Sequence, residues 1–221
     1  MNAQGKRSGE TAREYAYRMI REQVISLELK PGEAFNDMEF AAKIGVSRTP
    51  VREAVIQLSE ESRIIEIFPQ RGMRIAPIDV ELVEEARSLR VLLEKQIAGM
   101  CCEMATEEDI KWLQENVGLQ EFYMENSRPE MVMQLDDEMH HKLFMICHRE
   151  LTYGMCQKLA IHYDRIRSLS VNTVKDNTII EDHRKIIQFI AEHKKENAMA
   201  QMEKHLSRWQ LNEGKFRQEF Y

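Results

Sequence analysis

The sequence predicts a mainly α-helical protein, with an N-terminal winged helix-turn-helix of three helices and a two-stranded wing, followed by an antiparallel helix bundle. Three observations support this fold class. Two short helical segments meet at a glycine turn in the first third of the chain, and two isoleucine-rich strand segments follow them. Beyond residue 78 helical periodicity continues with few glycines and prolines. We therefore expect one domain at 1–77 and a second, all-helical domain at 78–221.

The charge is distributed unevenly along the 221 residues. The net charge is −6, yet residues 1–78 hold 12 basic and 11 acidic side chains, so the acidity lies in the C-terminal part. Any contact with a nucleic acid must then come from a few placed arginines. No apolar run approaches the ~20 residues that cross a bilayer, the first ten residues lack a signal sequence, and the four cysteines show no paired metal spacing. We expect a cytoplasmic protein with no membrane partner.

The helix-turn-helix is predicted from three helices, at Thr11–Leu29, Asp37–Ile44 and Ser47–Glu60. The first ends at Lys30-Pro31-Gly32, because proline cannot continue the helical ladder, and Gly45 supplies the turn between the second and third. Asn36 and Ser47 are expected to cap the second and third helices. The third helix buries an apolar face and leaves Arg48, Thr49 and Arg52 outward near its N-terminus, where a recognition helix contacts bases and phosphates.

The wing is predicted from strands at Arg63–Phe68 and Met73–Ala76. Pro69 to Gly72 form the turn between them. Arg71 and Gly72 at its tip suit a minor-groove or phosphate contact, because glycine allows close approach and arginine favours a narrow, negative groove. The alternative is that these arginines are solvated surface charges, which the helix-turn-helix context disfavours.

The string Gly45-Val46-Ser47-Arg48-Thr49-Pro50-Val51-Arg52-Glu53-Ala54, with Leu29-Lys30-Pro31-Gly32 before it, resembles the signature of the GntR family of bacterial regulators. The resemblance implies that Ser47, Arg48, Thr49, Arg52 and the wing-tip Gly72 contact an operator. The family often carries an arginine in the second helix where this chain has Met38, so one contact of the family set is missing here.

The C-terminal part predicts a bundle of about six helices. Asp79 caps a helix to Met104, Thr106 to Asp109 form a capping box, and Pro129 opens a helix through Cys147. Further helices are expected at Leu151–Val171, Thr178–His193 and Lys195–Phe216.

Four residues of this bundle could hold a divalent metal. Asp136 and His140 lie four residues apart and so share a helix face, while His183 and His205 lie on the last two helices. Three imidazoles and a carboxylate suit a borderline metal. The alternative is a surface hydrogen bond between Asp136 and His140, which spacing alone favours.

The segments Leu135 to His140, Asp182 to Ile187 and His205-Leu206 resemble elements of the FCD domain, the sensor of the FadR subfamily of GntR regulators. The resemblance implies that Asp136, His140, His183 and His205 bind the metal. The neighbouring pair Asp137 and His141 leaves the register open by one residue.

Two arginines are candidates for binding a carboxylate effector. Arg90 and Glu94 are similar to the family's Arg-x-x-x-Glu element, and Arg90 could grip a carboxylate bidentately, with a buried Arg90–Glu94 ion pair as the equal alternative. Arg167 is a second candidate, for which an ion-pair network is the favoured alternative.

The leading hypothesis is a ligand-responsive transcriptional regulator, a repressor or an activator, of which the repressor is favoured. A homodimer would bind a pseudo-palindromic double-stranded DNA operator, and its bundle would hold Zn, Ni or Mn together with a small carboxylate effector. A metalloenzyme and a metal-responsive regulator are the alternatives. The chain contains no HExxH or other catalytic motif to support the enzyme.

Overall fold

The computed structural model describes residues 5–173 and 178–208, with the side chains of 169–173 left aside. The chain forms two compact units that divide between Leu82 and Val83. The described elements of the first unit are α1 Ala12–Ile25, β1 Ala34–Phe35, α2 Asp37–Ile44, α3 Arg48–Ser62, β2 Ile65–Phe68 and β3 Gly72–Ile75. Helix α4, Val80–Met104, leads into the second unit, which continues with α5 Glu107–Glu125, α6 Pro129–Ile146, α7 Glu150–Thr173, α8 Thr178–Ala191 and α9 Lys195–Leu206.

Local sequence signals account for the helix-turn-helix. The Asn36 side chain caps α2 by accepting hydrogen bonds from the backbone N–H groups of Met38 and Glu39. Gly45 ends α2 in the left-handed region, at a φ of 73°, which glycine adopts without steric cost. Ser47 occupies the N-cap position of α3, but its side chain makes no capping hydrogen bond. The capping role predicted for its hydroxyl is therefore wrong, although its position is as predicted.

The first helix is shorter than predicted. It ends at Ile25 rather than Leu29, because Leu27 turns to a positive φ of 62° and the N–H of Leu29 bonds back to the carbonyl of Gln23. The pattern of apolar residues continues past the end of the helix, so periodicity alone does not reveal this turn.

The predicted hairpin is confirmed, with β2 and β3 antiparallel and Ile67 opposite Met73. A third strand, β1, pairs with the other edge of β3, which gives the order β1-β3-β2. At two residues, β1 is too short to show a period. It forms because the chain returns from α1 alongside β3, where the N–H of Gly32 donates to the carbonyl of Ile75 and the N–H of Ile75 donates to that of Glu33.

The helix starts of the second unit follow the predicted caps. Asp79 accepts from the N–H of Glu81, Thr106 and Asp109 form the capping box of α5, and Pro129 lies in the first turn of α6. Helix α8 ends at Ala191, two residues earlier than expected. The predicted extension of α9 to Phe216 lies, from residue 209, outside the described residues.

The core of the second unit is an apolar cluster formed between the helices. It contains Ile97 and Ala98 of α4, Leu113 and Val117 of α5, Met139, Leu143 and Phe144 of α6, Ile186, Ile187 and Ile190 of α8, and Ala198, Met202 and Leu206 of α9. Helix α5 packs on α6 and α8 packs on α9, and side chains from five helices meet in this cluster. Among the described residues, none of the helices is both long and apolar enough to cross a membrane.

Candidate nucleic-acid interface and metal centre

Helix α3 has one buried and one exposed face. Val51, Ala54, Val55 and Leu58 are buried within the first unit, a spacing that sets the rotation of the helix. That rotation leaves the predicted contact residues Ser47, Arg48, Thr49 and Arg52 exposed, all at the N-terminal end. The arrangement provides two guanidinium groups and two hydroxyls at the helix end that also presents unpaired backbone N–H groups to an anion.

Arg48 has a partner that the sequence did not reveal. Its Nε donates to Asp37 Oδ1 across 3.0 Å, from the start of α3 to the start of α2. The turn at Gly45 brings these helix starts together, so the contact depends on tertiary packing.

The wing places Arg71 and Gly72 at an exposed tip between β2 and β3. Gly72 has a φ of 103°, in the region where a side chain is strained. Arg74, by contrast, forms an ion pair with Glu66, the residue opposite it on β2. Arg71 is exposed at the tip of the wing, as predicted.

In the second unit the structure brings together Asp136, His140, His183 and His205. One oxygen or nitrogen from each lies within 4.8 Å of the others, and all four residues are buried. Helix α6 contributes Asp136 and His140, α8 contributes His183, and α9 contributes His205. Nε2 of His205 lies 3.3 Å from Nε2 of both His140 and His183, and Asp136 Oδ1 lies 3.3 Å from His183 Nε2.

These separations fit a common metal ion. Ligand atoms about 2.1 Å from a tetrahedral metal lie about 3.4 Å from one another. Three spacings in the cluster are 3.3 Å, and His140 Nε2 lies 3.8 Å from Asp136 Oδ2. The donor set of three imidazole nitrogens and one carboxylate oxygen is one that Zn²⁺, Ni²⁺ and Mn²⁺ accept. The four residues therefore fit a divalent metal in both chemistry and spacing.

Two polar side chains contact the imidazoles of His140 and His183 at Nδ1, the ring nitrogen that faces away from the cluster. Gln120 Oε1 of α5 lies 2.8 Å from His183 Nδ1, and Gln120 in turn donates from Nε2 to Asn116. Glu94 Oε2 of α4 lies 2.5 Å from His140 Nδ1. At His183 the acceptor keeps the hydrogen on Nδ1, so the Nε2 lone pair points into the cluster, as a metal ligand requires. The sequence did not identify either residue, because α4 and α5 reach the cluster only through the packing of the bundle.

Burial sets the protonation of the cluster. Burial lowers the pKa of His183 to about 4, although Asp136 opposes the shift, and burial also holds the pKa of His205 well below its usual range. Burial would raise the pKa of Asp136, but the positive charge of Arg167 outweighs it and holds that pKa well below its usual value. Neutral imidazoles beside an ionised carboxylate are the forms that bind a metal near neutral pH.

The rotation of α6 determines which of its two Asp/His pairs faces the cluster. Asp136 and His140 are buried and face His183 and His205. Asp137 is half-exposed, and the ring of His141 stacks on Tyr153 with centroids 4.4 Å apart. The neighbouring pair therefore lies away from the cluster.

The two candidate effector arginines both form ion pairs. Arg90 Nε lies 2.5 Å from Glu94 Oε1, and its Nη1 is buried without a hydrogen-bond partner among the described residues. Arg167 contacts three carboxylates, those of Asp136, Asp137 and Asp164. The ion-pair alternatives considered for both residues are thus present, and binding of an effector by either stays a prediction.

Comparison with known proteins identifies both units. Residues 12–75 match the bacterial regulatory proteins of the gntR family, and residues 85–208 match the FCD domain. The HTH-type transcriptional repressor RspR of Escherichia coli is 30% identical over 158 residues, which is 72% of this chain and 69% of RspR. An HTH-type transcriptional regulator in an unstable DNA locus of Streptomyces ambofaciens is 29% identical over 204 residues, covering 90% of this chain and 84% of the relative.

The fold has a solved counterpart in Escherichia coli McbR/YncC, with a TM-score of 0.81 and 17% identity over 96% of this chain and 99% of that one. The families and relatives are transcriptional regulators and not enzymes, so the metalloenzyme alternative has no support. The chain belongs to the GntR family of bacterial regulatory proteins, as a DNA-binding transcriptional regulator with an FCD domain.

Proposed function

We propose that this regulator is a repressor whose helical domain binds a divalent metal and a small carboxylate effector. The single observation that carries the sensor part is the buried cluster of Asp136, His140, His183 and His205, with its ligand atoms within 4.8 Å of one another. Burying three imidazoles together costs free energy, because their ring nitrogens lose their hydrogen bonds to water. A bound ligand that replaces those bonds would offset this cost. The metal would supply a positive centre that can attract an anionic effector.

The effector would be held by Arg90, at the side of the cluster where Glu94 contacts both Arg90 and His140. Nε and Nη2 of Arg90 already face Glu94, so Nη1 is the nitrogen available to a carboxylate. This contact would be through one nitrogen rather than the bidentate grip expected from the sequence. Arg167 would act mainly by fixing the carboxylate of Asp136.

On the DNA side, we propose that Ser47, Arg48, Thr49 and Arg52 of α3 and Arg71 and Gly72 of the wing contact the operator. Their shared exposure at one helix end and one hairpin tip supports this set. A homodimer would place two such surfaces on the two halves of a pseudo-palindrome. An effector would regulate DNA binding only if its affinity differs between DNA-competent and DNA-incompetent arrangements.

A mobility-shift assay with the region upstream of the regulator's own gene tests the DNA contacts. We expect Arg48→Ala or Arg52→Ala alone to abolish specific binding at moderate salt, because few arginines carry the contact. Arg13→Ala, an equal change of charge on an exposed site of α1, serves as the control and should bind normally. Full binding by both α3 variants would show that the recognition surface lies elsewhere.

Calorimetric titration of chelator-treated protein with Zn²⁺, Ni²⁺ and Mn²⁺ tests the metal site. His140→Ala should lose binding, whereas His141→Ala, one residue along the same helix, should keep it. The reverse result, or equal binding by both variants, would overturn the proposed ligand set. Native mass spectrometry of the protein as purified then reports metal, bound acid and oligomeric state together.

A second candidate is that the metal itself is the signal, which the complete set of four protein ligands favours. Titrating metal against operator affinity in the absence of any organic acid separates the two functions. A large change in affinity supports metal sensing, and no change supports a metal that serves to bind the effector.

A further inference from the structure

Asp37 is a buried carboxylate in the DNA-binding unit that the proposed operator contacts do not use. It is the first residue of α2 and 3% exposed, and its Oδ1 accepts the hydrogen bond from Arg48 Nε at 3.0 Å. Its second oxygen, Oδ2, is buried without a hydrogen-bond partner among the described residues. The side chain of Arg48 is 56% exposed, so one member of this ion pair is fixed and the other extends into solvent.

Electrostatics at the two helix starts favour this pairing. Asp37 lies in the first turn of α2, where the helix dipole stabilises a negative charge. Arg48 lies in the first turn of α3, where the dipole disfavours a cation, and the first turn of α3 holds no acidic residue to offset it. Asp37 supplies the missing negative charge from the neighbouring helix.

The contact contributes more to orientation than to stability. An ion pair with a largely exposed member is weak, because water screens it and the long side chain loses rotamer entropy. That loss of freedom is useful if Arg48 must be in place before DNA arrives, because ordering a flexible side chain on binding reduces affinity.

The bond also selects which edge of the guanidinium is presented. Arginine reads guanine with two parallel N–H donors on O6 and N7, and it grips phosphate in the same way. With Nε turned to Asp37, the pair available for this geometry is Nη1 and Nη2.

We propose that Asp37 is a positioning residue that holds Arg48 so that its Nη1 and Nη2 face the operator. This role rests on the proposed contact between Arg48 and DNA. The proposal predicts that removal of Asp37 weakens DNA binding. The simplest expectation for an acidic group near DNA is the opposite, because its removal reduces repulsion of the phosphates.

The test is operator binding by Asp37→Ala and Asp37→Asn, measured at low salt so that weak complexes stay detectable. We expect about a tenfold loss of affinity for Asp37→Ala, typical of coupling between residues in contact, and a smaller loss for Asp37→Asn, whose amide oxygen still accepts a hydrogen bond. Discrimination between the operator and a random duplex should fall in the same order. Glu39→Gln removes one charge from the same turn of α2 without touching Arg48, and it should bind as well as the parent protein.

A double-mutant cycle with Arg48→Ala separates positioning from other effects. In the Arg48→Ala background, Asp37→Ala should cause no further loss. Tighter binding by both Asp37→Ala and Glu39→Gln, or an equal loss in the two backgrounds, would overturn the proposal. If Arg48→Ala itself binds like the parent, the operator contact fails rather than the pairing. Thermal unfolding of each variant checks that the domain is folded. If Asp37→Ala does not fold, the operator affinity of Asp37→Asn tests the proposal instead.

Discussion

Burial determines what His183 can do. The ring is fully buried, its Nδ1 faces Gln120 and its Nε2 faces Asp136 and His205. Water no longer stabilises the protonated ring, so the pKa of His183 falls from its usual range to about 4. His148, by contrast, is exposed on the surface.

The pKa of His183 predicts how stability depends on pH in the absence of metal. Between its folded pKa of about 4 and its unfolded value of 6.5, the unfolded chain binds more protons, so the free energy of unfolding falls as the pH falls through this window. From this residue we expect a loss of roughly 2 kcal/mol between about pH 7 and pH 5. Urea unfolding in the presence of a chelator measures it.

His183→Asn is the matched variant, because its amide can still donate to Gln120 but does not titrate. The pH dependence should shrink in this variant without vanishing, since His205 also has a lowered pKa. An unchanged pH dependence would show that His183 is not the buried, neutral group described above.

At the scale of elements, the helices differ in how closely they approach their neighbours. Gly99 of α4 is buried, and a Cβ at this position would lie 2.9 Å from Met199 Sδ of α9. Gly118 lies within α5 on an exposed face, and nothing would lie within 4 Å of a Cβ added there. Glycine permits close helix packing at the first position, but it only weakens the helix at the second.

Replacing Gly118 by alanine should therefore stabilise the helical unit. The gain is about 0.5–1 kcal/mol, because alanine has the higher helix propensity and reduces the freedom of the unfolded chain. Thermal unfolding should show an increase in melting temperature of about 2–4 °C. Gly99→Ala makes the same chemical change and should stabilise less, because Met199 must move. Equal gains for the two variants would contradict the packing described for α4 and α9.

At the scale of the whole molecule, the acidic charge limits how the protein holds DNA. Residues 1–78 are nearly neutral and the remainder is strongly acidic. Non-specific attraction is then weak, and under the proposed function affinity would depend on a few exposed arginines and on pairing of two copies. Met38, which is 61% exposed on α2, adds no positive charge to this helix.

This charge distribution predicts the salt dependence of operator binding. If Arg48, Arg52 and Arg71 of both protomers each neutralise a phosphate, the logarithm of affinity should fall with the logarithm of salt at a slope of about −5. Arg71→Ala should reduce the magnitude of the slope by about 2, one contact for each protomer. Arg74→Ala, on the same wing but paired with Glu66, should leave the slope nearly unchanged. A slope insensitive to Arg71 would remove the wing from the interface.

Much of the fold follows from local signals, because caps, glycine turns and apolar spacing act within a few residues. Asn36, Gly45 and Asp79 lie where their chemistry predicts, and the hairpin follows from its two isoleucine-rich segments. The strand β1 was not predicted, because it depends on pairing with β3, which is distant in sequence. The end of α1 was not predicted either, because its turn lies at Leu27, an apolar residue that continues the helical pattern.

For the site, the sequence by itself indicated His183, His205 and an Asp/His pair on α6 as candidate metal ligands, and the arginines of α3 and the wing as candidate DNA contacts, through residue type, spacing and family resemblance. Only the tertiary structure decided that Asp136 and His140, rather than Asp137 and His141, face the cluster. It alone brought Gln120 and Glu94 behind the imidazoles, and Asp37 beside Arg48. The physical reason is the same in each case: one helix fixes the spacing of its own side chains, but the packing of separate helices fixes which side chains meet.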